Sequence, residues 1–205
     1  NTAPAITTQP ASQSVNQGAN ATFTVTASGT IPLFYQWRLY ATNIAGATAS
    51  SYTRTSGQPA DAGPYSAFVT NAYGTATSSD ALLTVIVPPT ITNQPLSQTV
   101  TQGLNATFTV AASGTAPFGY QWRLNAANIP GATASSYTRS NVQPADAGSY
   151  SAVVSNSAGT ATSANAVLTV FVPPTPPVIN TQPLGQTVVW GGTASFTVSA
   201  TGGTP

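Results

Sequence analysis

The sequence predicts an all-β protein made of tandem β-sandwiches, each with two antiparallel sheets, joined end to end in an elongated rod. Two observations predict this fold. The chain of 205 residues repeats itself at an offset of 85 residues, as from Tyr35 to Tyr120. Within each copy, apolar residues alternate with polar ones over short runs bounded by Gly, Pro, Asn and Ser. Period-two alternation is typical of strands with one buried face, and regularly spaced short strands favour a sandwich.

The repeat predicts the domain boundaries. The sequence Gly46–Arg54 recurs at Gly131–Arg139, and a third copy begins near Val178, three residues later than the offset requires. We therefore expect domain 1 at residues 1–87 and domain 2 at 88–173. Residues 174–205 are expected to hold a linker and the opening strands of an incomplete third domain. Such an array packs each repeat mainly against its neighbours.

The strands of the first copy follow from four alternating runs, with inward positions at every second residue. Sustained helical periodicity is absent from the sequence. The inward positions are Phe23 and Val25, then Tyr35, Trp37 and Leu39, then Tyr65, Ala67 and Val69, and finally Leu83 and Val85.

Composition excludes several classes of function. Charged residues are 3% of the chain, against about 25% in an average protein, and Lys, Glu, His, Cys and Met are absent. Zinc and haem sites lack ligands, and a nucleophile would lack a neighbouring His, Lys or Glu base. Four Arg cannot form a nucleic-acid-binding patch, and apolar runs fall short of the roughly 18–20 residues that span a membrane. We expect no enzyme activity, no cofactor, no metal, no nucleic-acid partner and no membrane span in this segment.

Three motifs, in order and twice over, resemble the intermediate set of immunoglobulin domains. They are Trp37 about a dozen residues after Val25, Asp61-Ala-Gly-Pro-Tyr65, and Asn71-Ala-Tyr-Gly74. The second copy carries them at Trp122, Asp146 to Tyr150, and Asn156 to Gly159. The chain is similar to bacterial-type, cysteine-free immunoglobulin-like tandem repeats.

The resemblance implies roles for the motif residues. Trp37 and Trp122 should be buried between the sheets, with carbohydrate stacking as the alternative, and Tyr65 and Tyr150 should form tyrosine corners. The disulfide of the family is missing. By alignment its positions are held by Val25 with Ala67 and by Val110 with Ala152.

Four of the seven charges are repeated in pairs seven residues apart. We expect Arg54 to form a salt bridge with Asp61, and Arg139 with Asp146, because an unpaired Arg at this position would be costly to desolvate. Ligand binding by these Arg residues is the alternative. The remaining repeated charge, at Arg38 and Arg123, is expected to face solvent.

Two further sets of residues are candidates for modification or contact. Asn20-Ala-Thr22 and Asn105-Ala-Thr107 are sequons beside a turn, so Asn20 and Asn105 are candidate glycosylation sites, with chance occurrence as the alternative. Trp190, Tyr73 and Phe68 are candidate contact aromatics, because the second copy has other residues where Tyr73 and Phe68 stand.

The linkers and the low charge predict the function. Pro-rich joints at Val85–Ile91 and Val170–Ile179 predict stiff connections. We expect a non-enzymatic structural or adhesive segment of a long extracellular or cell-surface array, such as a stalk or filament. Its partners would be further repeats in cis, a glycan, or other copies in lateral or end-to-end association. Two alternatives stay open: an accessory recognition module of a secreted carbohydrate-active enzyme, and a virion decoration or tail domain. A recognition module would need an aromatic platform, for which Phe68, Tyr73 and Tyr40 are the candidates.

Overall fold

The computed structural model describes residues 1–203; the last two residues of the predicted third unit, Thr204 and Pro205, lie outside the described residues. The prediction of an all-β chain of tandem sandwiches is confirmed. No α-helix occurs in residues 1–203, where two 3₁₀ turns are the helical elements, at Pro59–Asp61 and Pro144–Asp146. The first repeat contains ten strands: β1 (Ala5–Thr8), β2 (Gln13–Asn16), β3 (Ala21–Thr24), β4 (Thr26–Ser28), β5 (Phe34–Leu39), β6 (Thr42–Asn43), β7 (Ser51–Arg54), β8 (Gly63–Asn71), β9 (Gly74–Thr77) and β10 (Ala81–Ile86).

Two layers enclose the core of this repeat. One layer has the order β2-β10-β8-β5-β6, with β9 paired to β8. The other consists of the antiparallel pairs β1-β4 and β3-β7, which are continuous because β3 and β4 are separated only by Val25. Inward residues of both layers are buried, as alternation predicts; Phe23 and Trp37 are fully inaccessible to solvent.

One strand pairing differs from the predicted antiparallel sheets. β2 pairs with β10 in parallel, with Gln13 opposite Leu83 and Asn16 opposite Ile86. The chain leaves β1 in one layer at the buried Pro10, which has no N–H to continue a ladder, and enters β2 in the other layer. The first strand is thereby divided between the two sheets.

The second repeat copies this architecture. Its strands are β11 (Thr90–Asn93), β12 (Gln98–Thr101), β13 (Ala106–Thr109), β14 (Ala111–Ser113), β15 (Gly119–Leu124), β16 (Ala127–Asn128), β17 (Ser136–Arg139), β18 (Gly148–Asn156), β19 (Gly159–Thr162) and β20 (Ala166–Phe171). Its core contains one extra buried side chain, Val142, where the first repeat has Gly57.

The segment after the second repeat contains one antiparallel pair, β21 (Val178–Thr181) with β22 (Ser199–Thr201). Phe196 and Val198, which align with the buried Phe23 and Val25, are exposed. In the first repeat Phe23 stacks on Tyr65 of β8, with the ring centres 4.6 Å apart.

Candidate functional site

Asp61 connects three parts of the first repeat through its carboxylate and its backbone carbonyl. Its Oδ1 accepts from Arg54 Nη2 at 2.7 Å, and its Oδ2 accepts from the Gln58 backbone N–H at 2.8 Å. Its backbone carbonyl accepts from the Tyr65 hydroxyl at 2.9 Å. One residue therefore ties β7, the 3₁₀ turn and the start of β8 together.

Asp146 makes the same set of contacts in the second repeat, and we call Asp61 and Asp146, each with its three partners, the hubs of the two repeats. Arg139 Nε donates to Asp146 Oδ1 at 2.8 Å, Gln143 N–H donates to Oδ2 at 2.8 Å, and the Tyr150 hydroxyl donates to the backbone carbonyl at 2.9 Å. The two Arg residues use different nitrogens, so Arg54 Nε is left buried without a hydrogen-bond partner. Each contact joins one Arg nitrogen to one carboxylate oxygen.

The electrostatics of the hub favour the ionised carboxylate. Burial raises the pKa of Asp61, but hydrogen bonds from Gln58 N–H and the Arg54 guanidinium outweigh it, so the pKa lies below the usual 3.8. The pKa of Asp146 is lowered in the same way against burial, chiefly by Arg139. Burial raises the pKa of Tyr65 to about 12.

Trp37 and Trp122 lie in the core rather than on a binding surface. The Trp37 indole N–H donates to the Ala49 carbonyl at 3.0 Å, and Trp122 donates to Ala134 at 2.9 Å. Each buried indole thus has the polar partner that its N–H requires.

The four positions aligned with the missing disulfides are also core positions. Val25 and Ala67 belong to the buried cluster of the first repeat, and Val110 and Ala152 to that of the second. Apolar packing occupies the place where the family has a covalent bond.

At the joint between the first two repeats, the last residue that is hydrogen-bonded to the first repeat is followed directly by a residue that is hydrogen-bonded to the second. Gln17 N–H donates to the Ile86 carbonyl at 2.8 Å, which anchors Ile86 to the first repeat. The next residue, Val87, is anchored to the second repeat. Its N–H donates to Thr115 Oγ1 at 2.9 Å, and its carbonyl accepts from Thr115 N–H at 3.0 Å and from Asn156 Nδ2 at 2.7 Å.

Asn156 is the first residue of the Asn-x-x-Gly hairpin, for which the sequence predicts only a turn. Its Oδ1 does accept from within that turn, at Ala158 N–H, 2.9 Å. Its Nδ2 also binds the Val87 and Thr115 carbonyls. Asn71 makes the same pair of bonds to Thr2 and Thr30 in the first repeat.

The second joint is looser. Gln102 N–H holds the Phe171 carbonyl at 2.8 Å, as Gln17 holds Ile86. The next anchored residue is Thr175, whose carbonyl and Oγ1 accept from Gly203 N–H at 3.2 and 2.8 Å. Val172 and two prolines lie between these anchors, and all three are exposed.

A groove of about 280 Å³ lies on the outer face of the first repeat, across β5 and β8. The Arg38 guanidinium lies 4.1 Å above the centre of the Phe68 ring, and Arg38 Nε donates to Asn43 Oδ1 at 2.8 Å. The sequence predicts a solvated side chain at Arg38. In the structure this side chain faces outward, as expected, but it is half-buried against an aromatic ring. The groove is lined by Phe34, Tyr35, Gln36, Arg38, Asn43, Phe68 and Thr70.

The candidate aromatics of the sequence do not form one platform. Tyr73 is half-exposed on the hairpin after β8, and the Tyr40 hydroxyl donates to the Ala62 carbonyl at 3.0 Å. Neither lines the groove that contains Phe68. Trp190 is fully exposed in the segment between β21 and β22. Phe34, which does line the groove, lies two residues before Gln36 on β5 and therefore shares the outward face with Gln36 and Arg38; this position in the alternation is the signal that points to it.

Both sequon asparagines are exposed at the turn before their strands. Asn20 Oδ1 accepts from Ser56 N–H at 3.0 Å, and Asn105 Oδ1 accepts from Asn141 N–H at 3.1 Å. These bonds use the side-chain oxygen and not the amide nitrogen, which is the atom to which a glycan would be attached.

Two negative findings apply to residues 1–203. No helix there is long and apolar enough to cross a membrane. No group of three or more carboxylates gathers in that part of the chain to hold a metal ion.

Comparison with known proteins agrees with this fold. Residues 88–156 match the immunoglobulin domain family. The chain is 33% identical to endoglucanase C of Cellulomonas fimi over 84% of its length, and 28% identical over 91% to leucine-rich repeats and immunoglobulin-like domains protein 3 of Mus musculus. It spans 16% and 19% of the lengths of these two relatives.

Solved structures show the same tandem arrangement. An I-band fragment of titin matches 88% of this chain, and 69% of its own chain is covered, with a TM-score of 0.74 at 23% identity. A structure of Sidekick-1 immunoglobulin domains 1–4 matches 83%, with 49% of its own chain covered and a TM-score of 0.66 at 21% identity. The chain therefore has the fold of tandem immunoglobulin-like domains, as its motifs predict, and its second repeat matches the immunoglobulin domain family.

Proposed function

We propose that this chain is a non-enzymatic structural or adhesive segment of a longer extracellular array of immunoglobulin-like repeats, and that it holds its neighbours at a fixed spacing. Its repeats are residues 1–87 and 88–173, and residues 174–205 open a third. The observation that carries the proposal is the first joint. Ile86 is hydrogen-bonded to one repeat and the adjacent Val87 to the next, so the joint has no slack.

The partners of such a segment are further repeats of the same chain and other copies of it. Two of the four Arg residues are neutralised by Asp61 and Asp146, which leaves a surface of mainly neutral hydroxyl, amide and methyl groups. Low net charge favours association between copies, and strands without edge charges favour lateral contact.

The joint is tested by measuring distances between spin labels at equivalent exposed positions of neighbouring repeats. Asp80 and Asn165 are such a pair, and the chain has no native Cys to interfere with labels on introduced Cys. We expect a narrow distance distribution across the first joint. Asn156→Ala should broaden it, because Val87 loses one of its bonds to the second repeat.

The matched control is Asn71→Ala, which removes the same bonds within the first repeat but none at the joint. It should leave the distribution narrow. A second pair of labels, at Asn165 and Thr193, measures the distance distribution across the second joint. If the unmodified chain gives an equally broad distribution across the first joint, the proposal is contradicted.

A second candidate function is an accessory module of a secreted carbohydrate-active enzyme. The observation in its favour is the match to endoglucanase C, which covers 84% of this chain. This role predicts saccharide binding by the isolated chain, whereas a spacer needs none. Absence of binding to any polysaccharide in a pull-down with insoluble glycans would count against it.

A further inference from the structure

The outer face of β5 and β8 in the first repeat combines aromatic rings with polar groups. Phe34 stands opposite Thr70, and Gln36 stands opposite Phe68, so their side chains share one face of the sheet. Phe34 is 61% exposed, an unusual exposure for a large aromatic side chain on a strand. The groove between these residues has a volume of about 280 Å³, just below the range of about 300–1,000 Å³ that is typical of ligand sites.

The groove carries a positive charge that nothing in it neutralises. None of its lining residues is acidic. Two of the three Asp residues of the chain are already paired with Arg54 and Arg139. Arg38 uses its Nε for Asn43, and its terminal nitrogens have no hydrogen-bond partner within residues 1–203. The contact with Phe68 and the hydrogen bond to Asn43 restrain the position of the guanidinium, and a planar guanidinium can make bidentate contact with a carboxylate.

The other polar groups of the groove suit a ligand rich in hydroxyls. Gln36 Nε2 donates to the Trp37 and Ile44 carbonyls, which leaves its Oε1 as an acceptor. Asn43 accepts from Arg38 through Oδ1, which leaves its Nδ2 as a donor. Hydroxyl groups bind both kinds of partner, and the flat C–H face of a pyranose ring stacks on an exposed ring such as Phe34.

We propose that this groove is a binding site for an acidic saccharide, a uronic-acid unit of a polysaccharide. The carboxylate lies against Arg38, the hydroxyls against Gln36 and Asn43, and the sugar face against Phe34. An acidic peptide would satisfy Arg38 but has no flat sugar ring for Phe34. The inference goes beyond the spacer role. The spin-label measurement at the first joint does not involve the groove residues, so a failure of one proposal can be distinguished from a failure of the other.

The second repeat provides a natural comparison. It keeps the arginine, with Arg123 Nε donating to Asn128 Oδ1 at 2.9 Å. It lacks both aromatic walls, because Gly119 and Val153 stand where the first repeat has Phe34 and Phe68. The proposed site therefore belongs to the first repeat alone, and one saccharide should bind per chain.

The test is titration of the full chain with trigalacturonate, followed by calorimetry and by amide chemical shifts, alongside neutral cellotriose and a tri-aspartate peptide. We expect one site for trigalacturonate, weakened by added salt, and binding about tenfold weaker for the other two probes. Phe34→Gly and Arg38→Gln should each weaken binding about tenfold, whereas Arg123→Gln should leave it unchanged. Unchanged melting temperatures show that the variants are folded.

Three results would overturn the proposal: no trigalacturonate binding, equal or tighter binding of the peptide or the neutral sugar, or an equal loss in Arg123→Gln. A gain-of-site variant gives a further check. Gly119→Phe with Val153→Phe rebuilds the aromatic walls in the second repeat; the Ser155 hydroxyl, 2.9 Å from the new Cβ, must rotate away. The expected stoichiometry then rises from one to two, and a folded double variant that stays at one contradicts the assigned role of the rings.

Discussion

The hub at Asp61 makes a strong prediction about stability. Asp61→Ala removes the acceptor of the Gln58 N–H, a loss comparable to that of a helix N-cap, about 0.5–2 kcal/mol. It also removes the ion pair with Arg54. Because the Arg54 side chain is 42% exposed, that pair contributes about 0.2–1 kcal/mol. The first repeat should therefore lose about 1–3 kcal/mol of unfolding free energy.

The two contributions separate in a second variant. Asp61→Asn keeps an oxygen that accepts from Gln58 but loses the charge, so it should cost about 0.2–1 kcal/mol. The exposed Asp80, replaced by Ala, is the control and should change nothing. The assay is urea unfolding followed through assigned amide resonances of each repeat, so that the second repeat serves as an internal reference.

The contribution of Asp61 to the unfolding free energy depends on pH. The folded-state pKa of Asp61 lies below the usual 3.8, so its contribution is complete above that value and is lost as the pH falls through the lowered pKa. The difference between unmodified protein and Asp61→Ala should shrink accordingly at acid pH. A melting temperature that Asp61→Ala does not move at pH 7 would refute the reasoning, since 1 kcal/mol corresponds to about 4–8 °C in a domain of this size.

Three further predictions concern the core. Tyr65 has a pKa of about 12 against a usual 10.0, so the first repeat should lose stability as the pH rises from 10.0 towards 12, and Tyr65→Phe should remove this dependence in alkaline unfolding curves. Val110→Cys with Ala152→Cys should form a disulfide under oxidation and raise the unfolding free energy of the second repeat by about 2–4 kcal/mol, measured against the reduced form in urea. Trp122→Phe leaves the Ala134 carbonyl without its donor and opens space in the core, so the second repeat should unfold at lower urea while the first keeps its midpoint.

The sequence predicts those features of the fold that depend on local periodicity. Alternation in Tyr35–Leu39 and Tyr65–Val69 identifies the strands and their buried faces, because side-chain direction is set by the backbone every two residues. The spacing of Arg54 and Asp61 places the two charges on either side of one turn, and the scarcity of other charges leaves each with one candidate partner.

The features it missed depend on contacts between distant segments. Alternation does not indicate which strand pairs with which, so it does not predict the parallel pair of β2 with β10. The motif predicts that Asn156 is a turn residue, but its bond to the Val87 carbonyl joins residues 69 positions apart. The sequence predicts a solvated Arg38 because the ring of Phe68, which it contacts, belongs to another strand. Alternation within β5 indicates that Phe34 faces outward, but only the register of β5 against β8 places it in one groove with Phe68.

The parallel pair of β2 and β10 has a mechanical consequence. The chain enters the first repeat through β1, which pairs with β4, and then crosses into β2; it leaves the repeat just after β10, and β2 and β10 lie side by side in the same direction. Tension along the chain pulls the two strands in opposite senses along their common axis. The ladder that joins Gln13–Asn16 to Leu83–Ile86 is then loaded in shear, with its hydrogen bonds strained together instead of opened one at a time from an end. The same parallel pairing joins β12 to β20, so each repeat contains, between its entry and exit strands, one ladder that tension loads in shear.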